Sequence, residues 1–308
     1  MFCYTTCLKI TLNEKGVHPL DMCLVRTLFM CFGSWILGCV MKAPFKIEKS
    51  DRCALLARSI FGTIGFTTIT FGVAMVPLVV QQTLFNTAPF WASMLGWFFN
   101  SEKISGFEIL AMLVSFGGVL CIALSGHSND DDSATAVGTK EEDKIPGSHL
   151  IGSGLVFCTS WCYAFVGILT RRMQKVNFAV MLFYYAIVAF LVTCMMIAGE
   201  CLVNGSHVRL FSDYSATQFG WMFSVSVINY IGLNCNTIAL QNERSGFITL
   251  LGYIGLVYAF LGDWLIFNEV LYLLEICGIL VIVVMNIMLI CTKWTNPTAA
   301  AAPVVKEI

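Results

Sequence analysis

The most constraining feature of this sequence is a series of nine stretches, each about 20 residues long, that are almost entirely apolar. A helix needs about 20 apolar residues to cross the hydrocarbon core of a bilayer, which is about 30 Å thick. Of the 308 residues, 57% are hydrophobic and only 12% are charged, whereas an ordinary soluble domain has about 25% charged residues. The pattern therefore predicts an all-α, multi-pass membrane protein. The stretches cover residues 20–41, 54–75, 78–99, 106–125, 150–169, 178–200, 218–240, 246–267 and 271–292.

A tenth apolar stretch, residues 1–12, is too short to cross a membrane. At about 1.5 Å per residue it extends only about 18 Å, so this first helix is apparently truncated. Matching the two halves of the sequence places Met1 opposite Thr159, which leaves the first helix about one third short of its expected length. We expect that the helix begins upstream of Met1, with a genuinely short helix as the alternative.

A polar, acidic segment divides the apolar stretches into two groups of five. It lacks the regular ligand spacing of a calcium loop and is read as a solvated linker. Glu102 and Glu108 in the first half match Glu269 and Glu275 in the second, at an offset of 167 residues. Two homologous units with five spans each must insert in opposite directions, so we predict two inverted five-helix repeats with ten helices in all. The predicted organisation is a first repeat at 1–125, a linker at 126–149, a second repeat at 150–292 and a cytoplasmic tail at 293–308.

Basic residues give the expected orientation. If the segment 42–58 is cytoplasmic, twelve lysines and arginines, including Arg58, lie on the cytoplasmic side and six lie on or near the other side. The sequon at Asn204 then falls on the outer side, where Asn204 is a usable glycosylation acceptor. This arrangement fits a multi-pass protein of the plasma membrane or of an endomembrane.

Polar side chains within the spans are the candidate substrate ligands, because polar groups in lipid usually face a cavity or one another. When residues 1–12 are counted as the first span, the fourth span is 78–99. In it, residues at i, i+4, i+8 and i+11 from Gln82 fall on one helical face, with Phe90 at the third position. The ninth span has an equivalent stripe, and the eighth carries asparagines. The alternative is that these groups join helices to one another. The candidates are Gln82, Asn86, Ser93, Asn229, Asn236, Thr249 and Tyr253.

Three charged residues, Lys9, Arg26 and Asp263, fall in the outer third of the spans and are candidates for gating or charge recognition. We expect Arg26 to face the cavity, where it either pairs with Asp263 as an outer gate or binds an anionic group of the substrate. The alternative is that its side chain snorkels to the membrane surface. Aromatic residues are candidates for the cavity wall, although packing or interface anchoring is the preferred reading for Trp91, Trp161, Tyr163, Tyr184 and Tyr185.

Several functional classes are excluded by missing patterns. The net charge of −1 argues against a nucleic-acid partner. The 14 cysteines form no CxxC pair and lie mostly in apolar runs, so we expect small hydrophobes and neither a metal site nor a cofactor. The sequence has no phosphate loop and no HExxH motif, and residues 261–263 lack the first glycine of a GxGD protease motif. We therefore expect that the protein is not an enzyme.

A set of short motifs, in this order and duplicated between the halves, resembles the EamA-like transporters of the drug/metabolite transporter superfamily and the related solute carrier family 35. The resemblance implies ten helices, cytoplasmic termini, a central cavity between the repeats, and peripheral helices 5 and 10 that can form homodimer contacts. In the second half Leu256 replaces Pro89. The motifs are Lys9, Pro19 with Arg26, Ala88-Pro89-Phe90, Trp97–Glu102 and Gly117-Gly118, echoed by Phe267-Asn268-Glu269 and Gly278.

The expected function is secondary transport of a small polar metabolite, by alternating access through the central cavity. One alternative is a nucleotide-sugar or organic-anion exchanger of the endomembrane system, and a further one is an ion channel. The nucleotide sugar ranks second because it calls for more fixed positive charge at cavity depth than Lys9 and Arg26 supply. The expected partners are a small-molecule substrate, the lipid bilayer and a second copy of the chain.

Overall fold

The computed structural model of this chain describes residues 2–75, 81, 84–100, 106–127, 148–204, 214–243, 247–248, 251–252, 255, 277–278, 280–285, 287–288 and 291. All regular secondary structure within these residues is helical. Five of the described helices are long and apolar enough to cross a membrane. The predicted class, an all-α multi-pass membrane protein, is confirmed.

Of the eight helices whose bounds are described, all but the one in the fourth predicted span follow the predicted spans closely. Pro19 opens the second helix at a position where its missing N–H costs nothing, and Ser215 with Gln218 forms a capping box at the start of the eighth. Most of the ninth predicted span and of the linker, half of the tenth span and the whole tail lie outside the described residues. The helices are α1 (Phe2–Lys9), which continues into a π-helical segment (Ile10–Glu14), α2 (Pro19–Val40), α3 (Lys49–Met75), α4 (Ala88–Asn100), α5 (Gly106–His127), α6 (Ser148–Arg172), α7 (Phe178–Asn204) and α8 (Ala216–Asn242).

The fourth predicted span is not one continuous helix. The chain is helical at Phe85, turns at Asn86 and Thr87, and resumes as α4. The Thr87 hydroxyl donates to the Leu84 carbonyl at 2.8 Å, which closes the turn. In a continuous helix the ring of Pro89 would collide with the carbonyl of Phe85 and would offer it no N–H. The prediction of an uninterrupted helix over 78–99 is therefore wrong at this turn.

Helices from the two halves of the chain pack directly against each other. The main contacts are α3 with α6, α2 with α7, and α4 with α6, accompanied by α2 with α8, α3 with α7, α1 with α8, α1 with α3, and α6 with α8. Glycines allow α3 to approach α6 closely. A Cβ on Gly65 would lie 2.9 Å from Cys162 Cβ, and a Cβ on Gly72 would lie 2.8 Å from Val156 Cγ2.

Two apolar clusters of buried residues lie at opposite ends of α3. One contains Leu55, and the other contains Ile69 and Val73. Between them, α3 carries the polar and small residues that face the centre of the bundle. The first cluster comprises Ala43, Ile47, Leu55, Met173, Val180 and Met181, and the second comprises Tyr4, Leu8, Leu12, Val17, Met22, Val25, Ile69, Val73, Val156, Met222 and Val225.

Candidate functional site

The centre of the helix bundle encloses a cavity of about 650 Å³. Its walls come from both halves of the chain: α1, α2, α3 and the 85–89 turn of the first, and α6, α7, α8 and described residues within 248–255 of the second. This volume lies within the range of about 300–1,000 Å³ that is typical of small-molecule sites. The walls are mainly apolar and aromatic and carry a few polar groups, which is the composition typical of sites that bind a specific solute.

Arg26 is buried in the cavity wall, with 1% of its surface exposed. Its Nε donates to Asn229 Oδ1 at 2.6 Å, and its Nη2 donates to the hydroxyl of Tyr185 at 3.0 Å. Its Cζ lies 3.2 Å from the centroid of the Phe66 ring. Hydrogen bonds to α7 and α8 hold the guanidinium inside the bundle, so the alternative in which Arg26 snorkels to the surface is wrong.

Arg58, on α3, is a second buried arginine in the same wall, with 3% of its surface exposed. Its Nε donates to Thr170 Oγ1 at 2.8 Å, and its Nη2 donates to Thr237 Oγ1 at 3.3 Å. The Cζ of Arg58 and that of Arg26 each lie 5.8 Å from the centroid of the Tyr185 ring. The two guanidinium groups therefore lie near the same aromatic ring.

The sequence counted Arg58 among the cytoplasmic cations, and the structure shows in addition that its side chain is buried in the cavity wall. It lies nine residues beyond Lys49, the start of α3, or about 13 Å along the helix axis. The signal for an inward position was Gly62 and Gly65, at i+4 and i+7 from Arg58, because small residues mark the face on which helices pack.

The positive charge of the two arginines is not balanced by any described residue of the wall. The described lining residues include no aspartate or glutamate. Between described side chains, the one ion pair within 4 Å joins His18 and Glu200 at 3.5 Å, and neither residue lines the cavity. The described walls thus form a cationic site inside a largely apolar bundle.

Three predicted substrate ligands lie in the cavity wall: Asn86, Asn229 and Asn236. Asn86 is buried at the turn of the fourth span, and Asn236 accepts a hydrogen bond from the hydroxyl of Tyr163 at 2.9 Å. Of the aromatic candidates, Tyr163 and Tyr185 line the cavity, whereas Tyr184, Trp91 and Trp161 do not.

Ser93, a predicted ligand, packs against α5. Its Oγ lies 3.4 Å from Met112 Sδ on α5, and Phe90 stacks edge-on against Phe116 of the same helix. Because the turn before α4 interrupts the helix, Asn86 and Ser93 do not share the continuous face that their spacing predicted. Ser93 is not part of the described cavity wall.

The remaining candidates lie outside the description. Lys9 is the last residue of α1 and Asn204 is the last residue of α7, but their side chains are not described. The other four candidates fall outside the described residues altogether, namely Gln82, Thr249, Tyr253 and Asp263.

Comparison with known proteins gives consistent matches. Residues 3–124 match the EamA-like transporter family. The human solute carrier family 35 member G1 is 21% identical over 285 residues, which cover 91% of this chain and 73% of that protein. The pseudopaline exporter CntI of Pseudomonas aeruginosa is 24% identical, over 85% of this chain and 83% of its own length. A probable transport protein of Saccharomyces cerevisiae is also 24% identical, over 94% and 83% respectively.

A crystal structure shares the fold. It superposes with a TM-score of 0.68 at 9% sequence identity, and the match covers 94% of this chain and 96% of the other. At this identity the likeness concerns the fold alone. The matched length shows that the similarity extends over the whole helix bundle.

Proposed function

We propose that this chain, whose residues 3–124 match the EamA-like transporter family and which is similar to members of solute carrier family 35, is a secondary transporter of a small polar metabolite. The observation that carries the proposal is the cavity of about 650 Å³ between helices of the two halves. A substrate held there contacts both halves at once, so a movement of one half against the other changes the side from which the substrate is reached.

The helix contacts support a mechanism in which two related halves rock against each other. The contacts are symmetric when α1 is exchanged with α6, α2 with α7 and α3 with α8. The contact between α3 and α6 then corresponds to that between α8 and α1, and the contact between α2 and α8 to that between α7 and α3. The contact between α1 and α3 corresponds to that between α6 and α8. Such a relation is expected of two inverted five-helix repeats around a shared substrate site. Alternating access by rocking of the repeats is the mechanism that we propose.

The interrupted fourth span supports the same proposal. Within a membrane, non-helical backbone is tolerated where it lines a cavity or is buried in protein. The turn at Asn86 and Thr87 meets this condition, because Asn86 lies in the cavity wall. Discontinuous helices of this kind commonly form the substrate sites of secondary transporters.

The proposal is tested by blocking the cavity in protein reconstituted into liposomes. Gly232 lies in the cavity wall, and a Cβ there has no atom within 4 Å, so Gly232→Trp adds bulk at a point of the wall that has room for the first side-chain carbon. Gly220→Trp is the matched control, because Gly220 is on the same helix, has equal space and does not line the cavity. Uptake of labelled amino acids, nucleobases, organic acids and sugar phosphates is measured with and without unlabelled solute inside.

We expect one solute class to enter saturably, faster when the same solute is present inside, and without ATP. Gly232→Trp should abolish this uptake and Gly220→Trp should retain it. An ion current without saturable exchange would show that the protein is a channel and not a carrier. Equal uptake by wild type and Gly232→Trp would show that the cavity is not the route.

A further inference from the structure

The two cavity arginines constrain the chemistry of the substrate. Arginine stays protonated throughout the physiological pH range. Burying an unpaired cation in an apolar bundle is unfavourable, and buried charges are therefore usually paired. Arg26 and Arg58 are both almost fully buried, and among described side chains neither has a carboxylate oxygen within 4 Å. The described part of the chain supplies no anionic partner to either arginine, and an anionic ligand would supply one.

The hydrogen bonds of the two arginines orient their guanidinium groups without neutralising them. Each arginine uses Nε and Nη2, and every acceptor is a neutral oxygen: an amide and a phenol for Arg26, and two threonine hydroxyls for Arg58. Nη1 of Arg26 is buried and has no hydrogen-bond partner among the described atoms. A carboxylate or a phosphate suits a fixed guanidinium edge, because both accept short charge-assisted hydrogen bonds.

The two guanidinium groups occupy separate parts of the cavity. Arg26 lies over the ring of Phe66, and Arg58 precedes Phe66 by eight residues on α3, which is about 12 Å along the helix axis. The ring of Tyr185 lies within 5.8 Å of both Cζ atoms. The site therefore presents two positive centres near the same aromatic ring.

We propose that the transported substrate is an organic dianion with two separated acidic groups, one bound by Arg26 and the other by Arg58. This inference rests on the proposed function and names the substrate class of the same cavity. The other named polar groups of the wall, Asn86 and Asn236, are neutral and suit hydroxyl or carbonyl groups between the two acids.

The test is a binding experiment with a ligand series of equal shape and different charge. The probes are linear dicarboxylic acids of three to six carbons, with their monoamides and diamides, and the readout is the thermal stabilisation of purified protein. Ligands that bind only the folded state raise its apparent stability in proportion to their occupancy. We expect at least one diacid to stabilise the protein, its monoamide to bind at least about tenfold more weakly, and its diamide to give no shift.

Substitution of one arginine should change the preference and not merely weaken binding. In Arg26→Gln and in Arg58→Gln, the monoamide should bind as well as the diacid or better, because one positive centre remains. Arg171→Gln is the matched control, since Arg171 donates to the Gln241 carbonyl and does not line the cavity. It should keep the preference for the diacid. Where a glutamine variant does not fold, the corresponding lysine variant keeps the charge and should keep the preference.

The inference is overturned if diamides stabilise the protein as well as diacids, if no diacid binds, or if both glutamine variants retain the diacid preference. Its failure is distinguishable from that of the proposed function. If the protein exchanges a neutral solute, Gly232→Trp blocks this exchange and no diacid binds, the transport function is supported and the dianion proposal is rejected. Diacid binding without exchange would reject the carrier and leave the binding site standing.

Discussion

At the residue scale, Asn229 is the position at which a substitution can balance the charge of Arg26. Its Oδ1 accepts from Arg26 Nε at 2.6 Å, so Asn229→Asp would place a carboxylate at the same distance with little change in shape. The new carboxylate should satisfy the buried cation, raise the free energy of unfolding by about 1 kcal/mol or more, and compete with an anionic substrate. We expect dianion affinity to fall at least about tenfold, measured by thermal stabilisation in the same samples.

Asn234 offers a control for this variant, because it lies on the same helix and carries the same side chain. Its Oδ1 is buried without a hydrogen-bond partner among the described atoms, and its Nδ2 donates to the Tyr230 carbonyl. Asn234→Asp should therefore lower the melting temperature, since it buries a carboxylate with no cation. A higher melting temperature in Asn234→Asp than in Asn229→Asp would contradict our account of the charge balance.

Substitution of two neighbouring tyrosines distinguishes a residue of the binding site from a residue that only packs between helices. The hydroxyl of Tyr185 accepts from Arg26 inside the cavity, whereas that of Tyr184 donates to the Phe45 carbonyl at 3.0 Å and is not in the wall. Tyr185→Phe should raise the KM for uptake about threefold to tenfold, because it releases one donor edge of Arg26. Tyr184→Phe should lower the melting temperature and leave KM unchanged. The reverse pattern would remove Tyr185 from the binding site.

The residue-scale contacts show where sequence reasoning ends. Arg26 was identifiable because it is a charge inside an apolar stretch. Arg58 was not, because it lies near the predicted start of its span, where a cation normally reaches the membrane surface. Its partners Thr170 and Thr237 are 112 and 179 residues away in the sequence, and no local sequence pattern predicts contacts over such separations.

At the scale of helices, the glycines of α3 set its distance from α6. An added methyl group on Gly65 or Gly72 would lie closer than 3.0 Å to a side-chain carbon of α6. Gly65→Ala and Gly72→Ala should each lower the free energy of unfolding by about 1–3 kcal/mol through overpacking. Gly154→Ala on α6 has no atom within 4 Å of the added carbon and should change stability little. Equal melting temperatures in all three variants would contradict close packing of α3 on α6.

The helices themselves were predictable, but the interruption of the fourth was missed. Hydropathy locates α2, α3, α6, α7 and α8 to within a few residues, since the length of a span follows from the thickness of the bilayer. The phase of side chains along the fourth span was not predictable from a 3.6-residue period. Pro89 forces a turn, and the described residue Asn86 before it is therefore rotated relative to Ser93.

At the scale of the whole molecule, the repeated sequence pattern indicated two halves, and the resemblance to EamA-like transporters implied a cavity between them. The charge of that cavity was not predictable, because it depends on which loops and helices from distant parts of the chain meet. The arginines of α2 and α3 bond to residues of α6, α7 and α8, so the site exists only when both halves are assembled.

Alternating access is tested most directly by measuring from which side of the membrane the cavity can be reached. Gly232→Cys places a thiol at the cavity wall with open space around it, in a background from which the native cysteines have been removed. A membrane-impermeant thiol reagent is applied to one side of sealed vesicles at a time, with and without a bound dicarboxylate. Gly220→Cys serves as the reference outside the cavity.

We expect Gly232→Cys to react with the reagent from both sides of the membrane. The ligand should raise the reaction rate from one side and lower it from the other, because it shifts the balance between two conformations. Reaction from one side only under all conditions would contradict a carrier. Fast reaction from both sides that ligand does not affect would instead identify an open pore.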